Sequence, residues 1–124
     1  MTILDHLILE VSVAATTSAF LSDIIGLDRI GWRPPFLVMR AGVTSLDLLE
    51  TDGAIAPRHL AFRVDAAQFA HALARLSERG VPYWADPFHR LPHRVYETER
   101  DRGIYFLDPD GHRLEMLVEI GPLP

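Results

Sequence analysis

Four side chains stand out because their types and spacing suit metal chemistry. His6 lies in Leu4-Asp-His-Leu-Ile-Leu-Glu-Val11, and His59 lies in Pro57-Arg-His-Leu-Ala-Phe-Arg-Val64. Superimposed, both segments read His-Leu-x-apolar-x-Val. Asp47 interrupts Leu46-Asp-Leu48, and Glu115 interrupts Leu114-Glu-Met116. A carboxylate in the middle of an apolar strand needs a partner, because burying it unpaired is costly. Taken alone, each histidine reads as an ordinary satisfied polar residue. Two histidines and two carboxylates at matching places of a repeated pattern read differently. Two imidazoles and one carboxylate on a shared face bind Fe(II), Mn(II), Ni(II), Co(II) or Zn(II) and leave positions open for a substrate. The chain contains no cysteine, so every ligand must be nitrogen or oxygen.

The elements that must position these residues also repeat. Each histidine strand alternates, which puts His6 and Ile8 on one face and Leu7, Leu9 and Val11 on the other. A helix signal follows each strand. The first has Thr16 or Thr17 as cap, an apolar stripe of Phe20, Leu21, Ile24 and Ile25, and Gly26 as the stop. The second has Asp65 as cap, then Phe69, Ala72, Leu73 and Leu76, ended by Gly80 and Pro82. Weaker strands are expected near residues 29–32, 36–40, 81–84 and 103–107, before each closing carboxylate strand. The pattern is βαβββ twice in an α+β domain. Module one covers residues 1–50, a linker covers 51–57 and module two covers 58–124. The spacing between halves grows from 53 residues at the histidines to 68 at the carboxylates. Module two therefore carries the extra loop, placed at residues 85–102, and loops of that length are commonly functional.

Composition narrows the partners. The 124 residues make one domain, 48% hydrophobic and 23% charged, with a net charge of −5 and no basic block. No nucleic-acid or anionic-membrane partner is called for. No apolar run is long enough to span a bilayer and the first residues do not form a signal peptide, so a cytoplasmic location is expected.

The run Ile104-Tyr-Phe-Leu-Asp-Pro-Asp-Gly-His-Arg-Leu-Glu115, with the paired modules around it, resembles the vicinal-oxygen-chelate superfamily. That superfamily includes glyoxalase I, extradiol dioxygenases, methylmalonyl-CoA epimerase, fosfomycin-resistance enzymes and bleomycin-resistance proteins. The resemblance implies a cup of mixed sheet with the helices on its outer face, and a divalent metal inside it held by His6, His59 and Glu115. It implies a turn at Asp108-Pro-Asp-Gly111. It places Asp47 where isomerase-type members have a fourth ligand or a base, and Tyr105 where ring-cleaving members have a tyrosine. It also implies a homodimer with sites shared between chains. The expected activity is glyoxalase-, isomerase- or lyase-like chemistry on a small oxygen-chelating molecule. The alternatives are an extradiol-type dioxygenase and a non-catalytic drug-binding protein. Trp84, Arg94, Arg102 and His112 are the candidates for contacting substrate. Against the dioxygenase reading, the stretch Tyr96-Glu-Thr98 lacks the histidine those enzymes carry.

Overall fold

The computed structural model describes residues 1–122, so the last two residues of module two, 123 and 124, lie outside the described residues. Module one runs β1 (His6–Val11), α1 (Ala14–Ile24), β2 (Asp28–Arg33), β3 (Phe36–Ala41) and β4 (Thr44–Glu50). Module two runs β5 (His59–Arg63), α2 (Ala66–Glu78), β6 (Tyr83–Trp84), β7 (Tyr96–Glu97), β8 (Asp101–Leu107) and β9 (Arg113–Glu119). The twofold βαβββ pattern is therefore present, with the two-residue β7 added inside the long loop.

Two mixed sheets result. One has the order β1-β4-β3-β2, and the other has the order β5-β9-β8-β6 with β7 also paired to β8. In each, the first strand of the module runs parallel to the last, and the remaining pairs are antiparallel. The registers superimpose. Ile8 lies opposite Asp47, and Ala61 lies opposite Glu115. Cross-strand partners share a face, so each carboxylate sits on the same face as the histidine of its own module.

The other face of each sheet is apolar and covered by a helix. Leu9, Val11, Leu37, Met39, Leu46 and Leu48 from the first sheet join Ile104, Phe106, Leu114 and Met116 from the second, with Phe20, Leu21, Ile24, Phe69, Ala72 and Leu76 from the helices. This one core crosses both modules. Phe20 of α1 packs on Phe106 of β8 with ring centroids 6.2 Å apart. The helices are also pinned to each other by polar contacts. Asp23 accepts from Arg75 and Arg79, and the Gln68 side chain donates to the Ile24 carbonyl. Accordingly, the pKa of Asp23 is lowered, mainly by its hydrogen bond with Arg75.

The helix caps divide the expectations. Asp65 caps α2 as its sequence suggests, accepting from Gln68 N–H at 2.7 Å. Neither Thr16 nor Thr17 caps α1. That helix starts earlier, with Val13 at the cap position and no side-chain cap bond. Thr17 is instead fully buried in the helix. Tertiary packing of Ala14, Thr17 and Ser18 outweighs the local capping preference there. No helix among the described residues is long and apolar enough to cross a membrane.

Candidate metal centre

The outward face of the second sheet carries a row of cross-strand partners, Ala61, Glu115, Tyr105 and Trp84. His59 sits two residues before Ala61 on the same face. Its Nε2 lies 3.3 Å from Oε1 of Glu115, whose side chain is 14% exposed while that of His59 is 51% exposed. Two atoms that each sit ~2.1 Å from one metal ion are about 3.0–3.4 Å apart, so this pair has the spacing of adjacent ligands. The half-open surroundings leave room for further ligands. Oε2 of Glu115 accepts a hydrogen bond from the Tyr96 hydroxyl at 2.7 Å.

Tyr105 completes the cluster. Its ring stacks near His59 at 6.2 Å and lies 5.7 Å from the ring of Tyr96. Burial, then the charge of Glu115, raises the pKa of the Tyr105 hydroxyl. Burial and the hydrogen bond to Glu115 raise that of Tyr96 well above the ordinary range. Both phenols are thus held in the form that donates a proton in a hydrogen bond.

A cavity of about 270 Å³ opens beside this cluster, lined by His59, Tyr105, Phe88, His89 and Arg113 among others. Its wall is the loop after β6. The Asp86 carboxylate accepts from the backbone N–H groups of Phe88, Arg90 and Leu91, which folds the loop into a tight arch. His89 and His93 take positive φ angles of 59° and 56° within it. The ring of His89 stacks on Trp84 at 3.9 Å and 16°. Phe88 stays 74% exposed at the rim.

The other half of the expected site lies on the first sheet. His6, Ser45, Asp47, Arg33, Arg40 and Phe36 line a separate concavity of about 300 Å³. Ser45 Oγ donates to Asp47 Oδ1 at 2.7 Å, and Nδ1 of His6 pairs with Asp5 Oδ2 at 2.7 Å. The Asp5 hydrogen bond raises the His6 pKa, with a smaller contribution from Asp47. Among the described residues of one chain, no group of three His, Asp or Glu side chains is gathered tightly enough to hold a metal. The structure therefore brings Glu115, His59 and Tyr105 together, brings His6 near Asp47, and leaves the two sets apart. A larger cavity of about 500 Å³ lies between the modules, lined by apolar residues such as Leu7, Ile25, Leu46, Leu60 and Phe62, and contains neither histidine.

The expected substrate contacts fare unevenly. Trp84 shares the row with Tyr105 and faces the cavity side of the sheet. Arg94 is exposed on the loop between β6 and β7. Arg102 lies on the opposite face, over the ring of Phe69 and paired with Glu97, because it is an odd number of residues from Tyr105 along β8. His112 is fully buried. Its Nδ1 accepts from Arg58 N–H at 3.0 Å, so Nε2 carries the proton and donates to the Glu10 carbonyl at 2.7 Å. It has no ring nitrogen left for a substrate. It joins the turn before β9 to β1 of the other module. That turn forms as expected over Asp108–Gly111, with Gly111 N–H bonded to the Asp108 carbonyl and Gly111 at φ 84°. His112→Ala should accordingly cost about 2–4 kcal/mol through two orphaned backbone groups and a void. Thermal unfolding should show a loss of roughly 10 °C. A variant as stable as the parent but with a raised KM would return His112 to the substrate.

Tyr96 was not singled out by the sequence, which offered only an indirect sign. Gly103 interrupts the strand Asp101–Leu107 just before its apolar run, and a glycine inside a strand signals the close approach of another group. That group is the Tyr96 ring, which occupies the space a Cβ at Gly103 would need.

Comparison with known proteins follows the same lines. The chain is similar to the solved structure of oxidase ChaP-H2, with 39% identity over 98% of this chain and 97% of that one and a TM-score of 0.91. It is similar to oxidase ChaP-H1, with 37% identity over 95% and 96% and a TM-score of 0.90. The fosfomycin resistance protein FosX from Mesorhizobium loti shares the fold at 19% identity, over 99% and 95%, with a TM-score of 0.72. The full-length matches to the oxidases place the chain with the enzymes of its superfamily. The family model of the Glyoxalase/Bleomycin resistance protein/Dioxygenase superfamily matches residues 3–116, and the chain belongs to that superfamily.

Proposed function

We propose that this protein is a divalent-metal-dependent oxidase acting on a small, oxygen-bearing organic substrate, with each metal held by His59 and Glu115 of one chain and His6 of a second. The observation that carries the metal site is the 3.3 Å approach of His59 Nε2 to Glu115 Oε1 on an open face. The oxidase reading is supported by 37–39% identity to two oxidases along nearly the whole of both chains. The donor set, two imidazoles and a carboxylate, fits iron or manganese and also nickel, cobalt or zinc.

When bound, such an ion supplies Lewis acidity toward a substrate oxygen and, as iron or manganese, redox capacity. The chain supplies the rest. Tyr105, held protonated beside Glu115, donates a hydrogen bond to a substrate oxygen and so orients it. Pro87, Phe88 and the His89 ring, which stacks on Trp84, wall the cavity and limit water near the reacting atoms. Arg33 and Arg40, on the His6 concavity, suit an anionic group at the other end of the substrate. Arg94 reaches solvent above the loop and is a secondary candidate for the same task.

The test combines metal analysis and oxygen uptake. Protein purified without chelator, then reconstituted separately with each of the five ions, should bind one per chain. Iron or manganese protein should consume oxygen with members of a catechol panel. Failure to retain any of the five ions would overturn the proposal.

Asp47 favours a second reading. It is the internal counterpart of Glu115 and lies beside His6, where isomerase- or lyase-type chemistry needs a fourth ligand or a base. In the oxidase reading the Ser45-bound Asp47 stays outside the metal's contacts. Asp47→Asn should then leave metal stoichiometry intact and lower the rate less than about tenfold. Loss of metal together with a rate fall of about a hundredfold or more, with hemithioacetal turnover by the nickel, cobalt or zinc form, would support the isomerase reading instead.

A further inference from the structure

The two oxygens of Glu115 have different neighbours. Oε1 faces His59, while Oε2 is taken by the Tyr96 hydroxyl at 2.7 Å. Tyr96 does not come from an adjacent strand. It sits on β7, and β8 lies between β7 and the β9 strand that carries Glu115. Strands two positions apart in a sheet are about 9–10 Å from each other. The phenol spans that gap only by lying flat across β8, and it crosses at its own register partner, Gly103. A Cβ at that position would collide with the ring and its oxygen. The hydroxyl then reaches Glu115 diagonally, since the residue opposite Gly103 on β9 is Leu117. A glycine, a two-residue strand and a tyrosine are thus spent on one hydrogen bond to one carboxylate oxygen.

We propose that Tyr96 is a positioning residue for the metal centre: by holding Oε2 of Glu115, it presents Oε1 as a one-oxygen ligand and keeps the second oxygen from filling a position that a substrate oxygen needs. This inference rests on the assignment of Glu115 as a ligand. The contact Tyr96 makes with this site is the hydrogen bond from its hydroxyl to Glu115 Oε2. Its action runs through the carboxylate, as hydrogen bonds to metal ligands generally do.

The experiment uses Co(II) added to the apo protein, with affinity from chelator competition and coordination number from the visible absorption. Tyr96→Phe should weaken Co(II) binding by roughly 10–100-fold. It should also lower the absorption intensity, as a carboxylate released to chelate through both oxygens raises the coordination number. Gly103→Ala, which keeps the tyrosine but blocks its path, should give the same changes. The double variant should be no weaker than the worse single variant, because both act on one bond. Parental affinity and spectrum in Tyr96→Phe would overturn the inference, including the case where only the apo Tm falls, which marks a purely structural role. A parent that binds no Co(II), or whose binding survives Glu115→Ala, would overturn the metal assignment and the inference with it. Binding that depends on Glu115 but not on Tyr96 would overturn the inference alone.

Discussion

Glu115→Ala should abolish stoichiometric metal binding while leaving a folded chain. Loss of hydrogen bonds around a ligand already weakens metal sites by about 10–100-fold, so loss of the ligand itself should cost on the order of a thousandfold or more. Activity should fall in step with bound metal. The fold should tolerate the change for a local reason. Glu115 is on the face of β9 away from the core, while Leu114, Met116 and Val118 carry the packing. The variant removes a largely buried charge and leaves one tyrosine hydroxyl without its acceptor, at a cost of about 1–2 kcal/mol. Metal analysis by mass spectrometry and a thermal melt on one preparation separate the two effects. A variant that keeps one metal per chain would remove Glu115 from the site, and with it the central element of the proposed mechanism. Glu115→Gln serves as the stricter form, since it keeps volume and an acceptor for Tyr96 while removing the charge that holds the ion.

Much of this arrangement is readable in the residue order, because duplication makes each half a check on the other. The period-two alternation around His6 and His59 assigns their faces, and the registers of β1 with β4 and of β5 with β9 repeat that assignment in space. The turn at Asp108–Gly111 is legible for a similar reason: its chemistry is local. What was not legible depends on contacts distant in sequence. His112 looks like a surface residue of a polar turn, yet its ring bonds Arg58 and Glu10, 54 and 102 residues away. Arg102 is misplaced by face, since Tyr105 and Arg102 are three residues apart on a strand and point to opposite sides. Tyr96 escapes because β7 is too short to show a period, and its partner on β8 is a glycine with no side chain to pair. The first helix cap fails because packing of Thr17 overrides a hydroxyl's local preference.

A mixture of two inactive variants, His6→Ala and His59→Ala, should regain activity. The reason is geometric. His59 and Glu115 face outward from the second sheet, while His6 faces outward from the first, and no strand of one sheet bonds a strand of the other among the described residues. Among the described residues neither face gathers three potential ligands within one chain. Both modules are tied together by a common core, by the His112 bonds and by the Asp23 clamp, so folding one sheet onto the other would break buried contacts. In the proposed dimer a second copy would complete both sites without that cost, and a twofold axis would do so reciprocally. In a dimer of this kind each variant alone lacks a ligand in both sites. In a mixed dimer one site collects both defects and the other collects none. Random exchange makes half of the dimers mixed, each with one intact site of two, so about one quarter of parental activity should return. Metal content should rise to the same fraction, which gives a readout independent of substrate. Sedimentation at micromolar concentration should show about twice the 14.0 kDa chain mass for the parent and for both variants. If the variants exchange subunits, as mass spectrometry of differently labelled chains would show, and the mixture stays inactive and metal-free, His6 does not complete the site of a partner. Activity that tracks the monomer at high dilution would lead to the same conclusion by a separate route.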